Sequence, residues 1–414
     1  MNTLNIDLLA LRHNIQQVDQ WVSERPDASW TLVTKVLCGH QGVLEALRAL
    51  GIRSMADSRL GNLEDIRSAC GEDVEVWYLR LPHMPVVEDI VRLSDVSLNS
   101  EVGVIEALNR AAREQGKVHR VIIMIELGDL REGILPGTLV KFYDQVFQLP
   151  NIEVLGIGAN LGCLAGVVPT VDQFMQLLLY RELLELKFGH QLPLVSGGTS
   201  ATLPLVLDGQ LPTTINHFRV GESLFLGTDL INGGTLPGLR SDTVILEAEL
   251  IEIKRKSLTP LAETAQVAPF SSEGISEEVS PGQRGYRALV GVGQLDTDVS
   301  GLKPENPNYQ LAGASSDITV INIGDSPGGL AVGDTMRFQP NYAALVRLMG
   351  NRYLEKQIVP DLETFGESLR PESLVRLGPV VGEGPAAQPG GPAAPVTART
   401  SRPRTAPRPE VTDK

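Results

Sequence analysis

Residues 34–40 (TKVLCGH) place one lysine, Lys35, at the end of a strongly apolar run. If that run is a strand of a parallel barrel, the lysine lies at the C-terminal mouth, where barrel enzymes carry their catalytic groups. Partial burial at the mouth disfavours the ammonium form. The neutral amine can then condense with an aldehyde. The motif thus predicts a nucleophilic lysine, and a lysine on the solvated surface is the alternative that it leaves open.

Two glycine-containing turns follow later apolar runs, at residues 195–201 (VSGGTSA) and 216–222 (NHFRVGE). Hydroxyl groups and backbone amides that open a helix bind phosphate. Each turn taken singly also fits an ordinary tight turn, but barrel phosphate sites are commonly built from the loops after strands seven and eight. The pair therefore predicts a phosphate site. Its candidate residues are Ser196, Gly198, Thr199, Ser200, Gly221 and Glu222.

The elements that must position these residues form a repeating pattern. From residue 5 to about residue 235, short apolar runs alternate with longer amphipathic stretches, and Thr170 with Gln173 predicts a capping box at the start of one helix. The predicted fold class is α/β, with a TIM-type (β/α)8 barrel over residues 1–237. A doubly wound open sheet is the alternative, because periodicity does not show closure.

The pattern of apolar and polar residues changes after residue 238. Short strand-like runs separated by turn pairs such as Gly324-Asp325, with no long helix between them, predict a mainly β domain over residues 238–360. Within it, residues 256–284 are rich in Ser, Glu, Pro and Thr and predict a long mobile loop. The Pro-, Gly- and Ala-rich residues 361–414 predict a tail that is mostly disordered.

Composition limits the classes of function. The 414 residues carry 50 acidic and 36 basic side chains, a formal net charge of −14, which disfavours nucleic acids and anionic membranes as partners. The N-terminal residues show neither a basic region nor an apolar one, so we expect no signal peptide, and no apolar run reaches the roughly 20 residues that span a bilayer. Three widely spaced cysteines fit a reducing compartment and show no metal-ligand spacing. We therefore expect a cytoplasmic protein without a metal site.

Several motifs together resemble the fold-type III pyridoxal 5′-phosphate (PLP) enzymes, the alanine racemase superfamily. They include the opening residues 6–14, the lysine motif 34–40 and the two phosphate turns. Residues 128–133 (GDLREG), 313–317 (GASSD) and Gly333-Asp334 look most like the ornithine racemase branch. The resemblance covers about residues 1–360 apart from the loop 256–284. It implies a PLP-dependent amino-acid racemase, an isomerase.

The resemblance also implies roles for single residues. Lys35 would form the Schiff base with PLP and exchange a proton at the α-carbon. Arg219 would face the pyridine nitrogen, an arrangement typical of racemases rather than decarboxylases. Arg131 would lie near the phenolic oxygen of the cofactor or near the substrate carboxylate. Asp317 would reach from the β domain into the active site of a partner subunit, in a homodimer with shared sites. Cofactor contacts are further expected from Ser196, Gly198, Thr199, Ser200, Gly221 and Glu222.

One position departs from the family pattern. Two-base racemisation needs a proton-transfer group on each face of the α-carbon. Alanine racemases use a tyrosine where this chain has Gln294, and glutamine is not a base. This argues against alanine as the small-molecule substrate, and the resemblance to the ornithine racemase branch implies ornithine or lysine instead. A PLP-binding regulatory or homeostasis protein without racemase activity is the alternative. The possible replacements for the tyrosine are Tyr286, Tyr342, Asp296, Asp298 and Asp317.

Overall fold

The computed structural model describes residues 2–162, 164, 166–259, 280 and 282–375. After a first strand, β1 (Thr3–Asp7), the chain forms a closed barrel of eight parallel strands. This confirms the predicted (β/α)8 barrel and excludes the open sheet. In barrel order the strands are β2 (Ser29–Val33), β3 (Ser54–Asp57), β4 (Glu75–Tyr78), β5 (Val96–Asn99), β6 (His119–Ile125), β7 (Ile152–Ala159), β8 (Leu194–Thr199) and β9 (His217–Val220).

Helices alternate with the barrel strands. The first helix begins where Asp7 accepts hydrogen bonds from the amides of Leu9 and Ala10, and the predicted capping box of Thr170 and Gln173 opens the longest one. The helices are α1 (Leu8–Ser23), α2 (Gln41–Ala49), α3 (Leu60–Cys70), α4 (Val87–Leu93), α5 (Val102–Glu114), α6 (Leu139–Val146), α7 (Val171–Phe188), α8 (Leu203–Leu207) and α9 (Glu222–Leu226).

The second sheet is mainly antiparallel and follows the barrel in sequence. Its strands are β10 (Val244–Ser257), β11 (Arg284–Val290), β12 (Leu302–Pro304), β13 (Gln310–Ala314), β14 (Thr319–Gly324), β15 (Thr335–Pro340) and β16 (Glu355–Val359), and the helices α10 (Tyr342–Gly350) and α11 (Leu362–Ser368) follow β15 and β16 in sequence. The central path of the sheet runs β12, β15, β10, β11, β14 and β13, and β1 pairs with both β10 and β16. A mainly β domain therefore follows the barrel, as predicted.

Two details of the predicted domain limits need correction. The sequence predicts a barrel over residues 1–237, but β1 pairs with β10 and β16 and so belongs to the second sheet. The tail was predicted to begin at residue 361, but α11 follows directly and Phe365 is only 2% exposed. Residues 376–414 lie outside the described residues, as do residues 260–279 and 281 of the predicted loop 256–284.

Within the part of the chain that the structure describes, no helix has both the length and the apolar composition needed to cross a membrane.

Candidate active site

A cavity of about 330 Å³ opens at the C-terminal mouth of the barrel. It collects side chains that are far apart in sequence because the carboxyl ends of all eight strands meet there. Seven of the predicted site residues line it: Lys35, Arg131, Thr199, Ser200, Arg219, Gly221 and Glu222. Tyr342, the first residue of α10, closes the cavity from the side of the second sheet.

Lys35 lies immediately beyond β2, at the start of a single 3₁₀ turn, and is half-buried. Thr34 anchors this turn to the neighbouring strand, because its amide donates to Ala56 O at 2.8 Å and its hydroxyl donates to Asp57 Oδ2 at 2.9 Å. Burial raises the pKa of Asp57, although four hydrogen bonds to its carboxylate oppose the shift. The lysine backbone is therefore held by a buried contact between two strands.

The two glycine turns meet at the mouth. The Ser200 hydroxyl accepts hydrogen bonds from the amides of Gly221 at 3.3 Å and Ser223 at 3.4 Å, which ties the end of β8 to the start of α9. A Cβ atom at Gly221 would lie 3.0 Å from Val33 Cβ, so the backbone passes close to β2. At Gly198 a Cβ atom would lie 2.0 Å from the Phe218 ring, so only glycine fits there.

Arg219 is a cation with only 6% of its surface exposed. Its guanidinium donates to Ser196 O at 2.7 Å, to Ala159 O at 2.9 Å, and to the Ser196 hydroxyl. Because a buried charge is tolerated only when it is hydrogen-bonded, these acceptors at the end of β7 and within β8 hold the guanidinium at the cavity wall. Ser196 does not line the cavity itself but supports Arg219 from behind.

A group that was not predicted accompanies Arg131. Its guanidinium forms an ion pair with the neighbouring Glu132, with Nη2 2.6 Å from Oε1, and Asn160 donates to the same carboxylate oxygen at 2.9 Å. Arg131 and Asn160 both line the cavity. Glu132 lies within the motif 128–133, and its charge, opposite to that of the adjacent Arg131, was the signal that could have identified it.

The structure does not bring Asp317 to this cavity within one chain. The side chain is exposed on the turn between β13 and β14, where its carboxylate accepts a hydrogen bond from Ser316. Gln294 lies on the same edge of the sheet, since its amide donates to Ser315 O at 3.0 Å. Asp317 thus remains a prediction about a partner subunit, and the alternative Tyr342 is the candidate base that lines the cavity of its own chain.

A histidine that carried no predicted role lies behind the cavity. His217 and Arg219 are two residues apart on β9 and therefore point to the same, inner side of the barrel. The ring of His217 is fully buried and stacks on Trp77 with 4.5 Å between centroids. Burial and the positive charge of Arg219 lower the pKa of His217 well below its usual value of 6.5, so the imidazole is neutral. Spacing of two along a strand was the signal that pointed to it.

Comparison with known proteins decides the family. The sequence profile of "Alanine racemase, N-terminal domain" matches residues 6–229, more than half of the chain. The chain belongs to the alanine racemase N-terminal domain family. It is a PLP-dependent amino-acid racemase, as predicted from the sequence.

Two relatives of this chain align with it over most of its length. It is 35% identical over 86% of its length to an ornithine racemase of Acetoanaerobium sticklandii and 32% identical over 87% of its length to a lysine racemase of Thermotoga maritima, covering 99% of each. An alanine racemase from Bartonella henselae with covalently bound pyridoxal phosphate shares the fold, with a TM-score of 0.64 and 16% identity over 86% of this chain and 99% of that one.

The residues of the cavity fit PLP in their chemistry. The cofactor is an aldehyde that carries a phosphate, and the cavity offers the amine of Lys35 together with the hydroxyls of Thr199 and Ser200. Gly221 also lines the cavity, and its lack of a side chain lets the backbone pass close to β2 there. Amine, hydroxyl and amide groups are the donors that such a molecule requires.

Proposed function

We propose that this chain interconverts the L and D forms of a basic α-amino acid, with ornithine and lysine as the first candidates. The observation that carries the proposal is the convergence of Lys35, Arg219 and the two glycine turns on one cavity. The ornithine racemase and the lysine racemase that resemble this chain support a basic substrate. Glu222 also lines the cavity, and its carboxylate would suit a substrate with a second ammonium group.

Lys35 would hold the cofactor and move the α-proton on one face of the substrate. When bound, PLP withdraws electron density from the α-carbon of an attached amino acid and so eases loss of its proton. Arg219 would face the pyridine nitrogen, and its fixed positive charge disfavours protonation of that nitrogen. An arginine there limits the electron withdrawal to what proton exchange needs, which favours racemisation over decarboxylation.

Other cavity residues would bind and orient. The hydroxyls of Thr199 and Ser200 and the amides of Gly221 and Glu222 would hold the phosphate, with Gly198 allowing the close packing of the turn against Phe218. Arg131 would lie near the phenolic oxygen or the substrate carboxylate, with its ion pair to Glu132 fixing the guanidinium. These contacts bring the substrate to Lys35 and exclude water from the reacting atoms.

The proton-transfer group for the opposite face would come from a partner subunit. Asp317 is exposed at the edge of the second sheet, beside Gln294 and an exposed Leu295. An exposed carboxylate next to an apolar side chain is suited to cross into another chain's cavity. We therefore propose a homodimer in which each Asp317 completes the site that contains the partner's Lys35.

Spectroscopy and exchange assays test the core of the proposal. The purified protein should show a visible absorbance band that disappears on borohydride treatment, and the reduced cofactor should map to the peptide containing Lys35. D- and L-ornithine, lysine and alanine should then be incubated in D2O, with α-deuteration and racemisation measured together. We expect ornithine or lysine to exchange faster than alanine. Bound cofactor without α-proton exchange for any amino acid would refute the racemase.

Mixing two inactive variants tests the shared site. A K35A chain and a D317A chain should each be inactive as homodimers. In a mixed dimer, one site retains both Lys35 and the partner's Asp317, so activity should reappear after the two proteins are unfolded and refolded together. If Asp317 served its own chain, or served no site, mixing would restore nothing beyond the sum of the two separate proteins.

A further inference from the structure

A continuous file of buried polar side chains crosses the barrel interior behind the cavity. Each member is at most 6% exposed, so every donor and acceptor in the file must be satisfied by a neighbour. The contacts run from Ser196 Oγ to His217 Nδ1 (2.7 Å), from His217 Nε2 to Thr31 Oγ1 (3.0 Å), from Thr31 Oγ1 to Ser54 Oγ (2.8 Å) and from Ser54 Oγ to Glu75 Oε2 (3.2 Å).

The direction of every hydrogen bond follows from the glutamate end. Trp77 donates its indole N–H to Glu75 Oε2 at 2.8 Å, and the Arg120 guanidinium lies 3.6 Å from Oε1, so the carboxylate acts as an acceptor. Ser54 therefore donates its single hydroxyl proton to Glu75. Since that proton is used, Ser54 must accept from Thr31.

The same count fixes the tautomer of the histidine. Thr31 donates its only proton to Ser54, so it accepts from His217, and the ring proton lies on Nε2. The ring is neutral and holds one proton, so Nδ1 must accept, and Ser196 donates to it. Ser196 then has only lone pairs left, and these face the Arg219 guanidinium, which can only donate. The file is consistent from end to end.

We propose that His217 is a positioning residue, held by Thr31, Ser54 and Glu75 in the Nε2–H tautomer so that Ser196 presents only lone pairs to Arg219. If every hydrogen bond of the file ran the other way, His217 Nδ1 would donate to Ser196. The Ser196 hydroxyl proton would then point toward Arg219 and compete with the guanidinium for its acceptors. The fixed direction of the hydrogen bonds would therefore orient the guanidinium of Arg219 toward the cofactor. The effect on catalysis rests on the proposed place of Arg219, whereas the tautomer does not depend on it.

Three variants test the file. Thr31→Val removes the hydroxyl with little change of shape and leaves Nε2–H without an acceptor, so His217 should move to the Nδ1–H tautomer. Thr31→Ser keeps the hydroxyl and should restore the original tautomer. Ser97→Ala is the matched control, because Ser97 is an equally buried serine that bonds a different histidine, His119, at 2.8 Å.

The first readout is the 15N spectrum of the ring nitrogens in protein freed of cofactor and labelled in its six histidines. We expect Thr31→Val to exchange the protonated and unprotonated signals of His217, and Ser97→Ala to move only those of His119. The second readout is steady-state racemisation by the holoenzyme. Thr31→Val should lower kcat about fivefold with KM unchanged, the loss expected for one hydrogen bond, and Thr31→Ser should recover it.

The outcomes separate the two proposals. The proposed hydrogen-bond directions are wrong if His217 of the wild-type protein is protonated on Nδ1. They are also wrong if Thr31→Val keeps the proton on Nε2 and has the same kcat as Ser97→Ala. A Thr31→Val variant that changes tautomer but not kcat would overturn the positioning role. If the protein proves not to racemise amino acids, the cofactor-free spectra still decide the tautomer, so that failure is distinguishable from failure of the proposed function.

Discussion

A buried histidine should make the stability of this chain fall steeply as the solution becomes acidic. His119, at the start of β6, accepts or donates at Nε2 to Ser97, and burial lowers its pKa from 6.5 to about 4. Between these two values the unfolded chain binds a proton that the folded chain does not bind. The free energy of unfolding is therefore complete above pH 6.5 and decreases as the pH falls. The loss is about 2 kcal/mol at pH 5 and roughly 3 kcal/mol over the whole window.

Urea unfolding of wild type and His119→Gln tests this value. Glutamine can keep a polar contact to Ser97 but does not titrate, so the difference in unfolding free energy between the two proteins isolates the histidine. We expect that difference to shrink by about 2 kcal/mol between about pH 7.5 and about pH 5 at fixed protein concentration. The exposed His83 provides a matched variant, because His83→Gln makes the same replacement outside the core. A flat difference for His119→Gln would refute the reasoning.

Three further perturbations address the site and its support. Gly198→Ala places a methyl group against the Phe218 ring and should lower the free energy of unfolding by more than about 2 kcal/mol. Its control is Gly61→Ala on α3, where no atom would meet the added methyl group and the free energy of unfolding should rise by about 0.5–1 kcal/mol; thermal unfolding of both variants measures the two changes. Asp57→Ala removes the acceptor of four donors, of which the Thr34 hydroxyl is buried, and should cost about 2 kcal/mol, measured by urea unfolding; a loss near zero would contradict the anchoring role. Arg219→Lys keeps the charge but not the fork of donors, and kcat should fall about tenfold or more in a racemisation assay; an unchanged kcat would contradict its placement.

The barrel and its mouth could be predicted because their signals are local. Each strand of the barrel is a short apolar run followed by a helix, and that alternation is visible without any partner strand. Lys35 stands at the end of such a run, and the rule that barrel sites form at the carboxyl ends of strands then places it near the phosphate turns. The position of the cavity thus followed from sequence order.

The corrected features depend on contacts between distant parts of the chain. The strand β1 is followed at once by α1, as in a barrel unit, yet its partners are β10 and β16, more than 200 residues away. The helix α11 stands next to a Pro-rich segment, and composition averaged over that segment hid Phe365, which is buried. Local patterns carry no information about such pairings.

The polar interior of the barrel explains why the supporting residues escaped prediction. Strands that face a barrel core are expected to carry branched apolar side chains, so His217, Thr31 and Ser54 look like interruptions of a pattern rather than parts of a site. A buried guanidinium cannot be held by apolar neighbours, because an unsatisfied charge in the interior is costly. Once Arg219 is placed at the mouth, acceptors are needed behind it, and each acceptor with a proton of its own needs a further acceptor. That requirement passes inward from residue to residue until it reaches Glu75, which can accept without donating, and the polar file ends there.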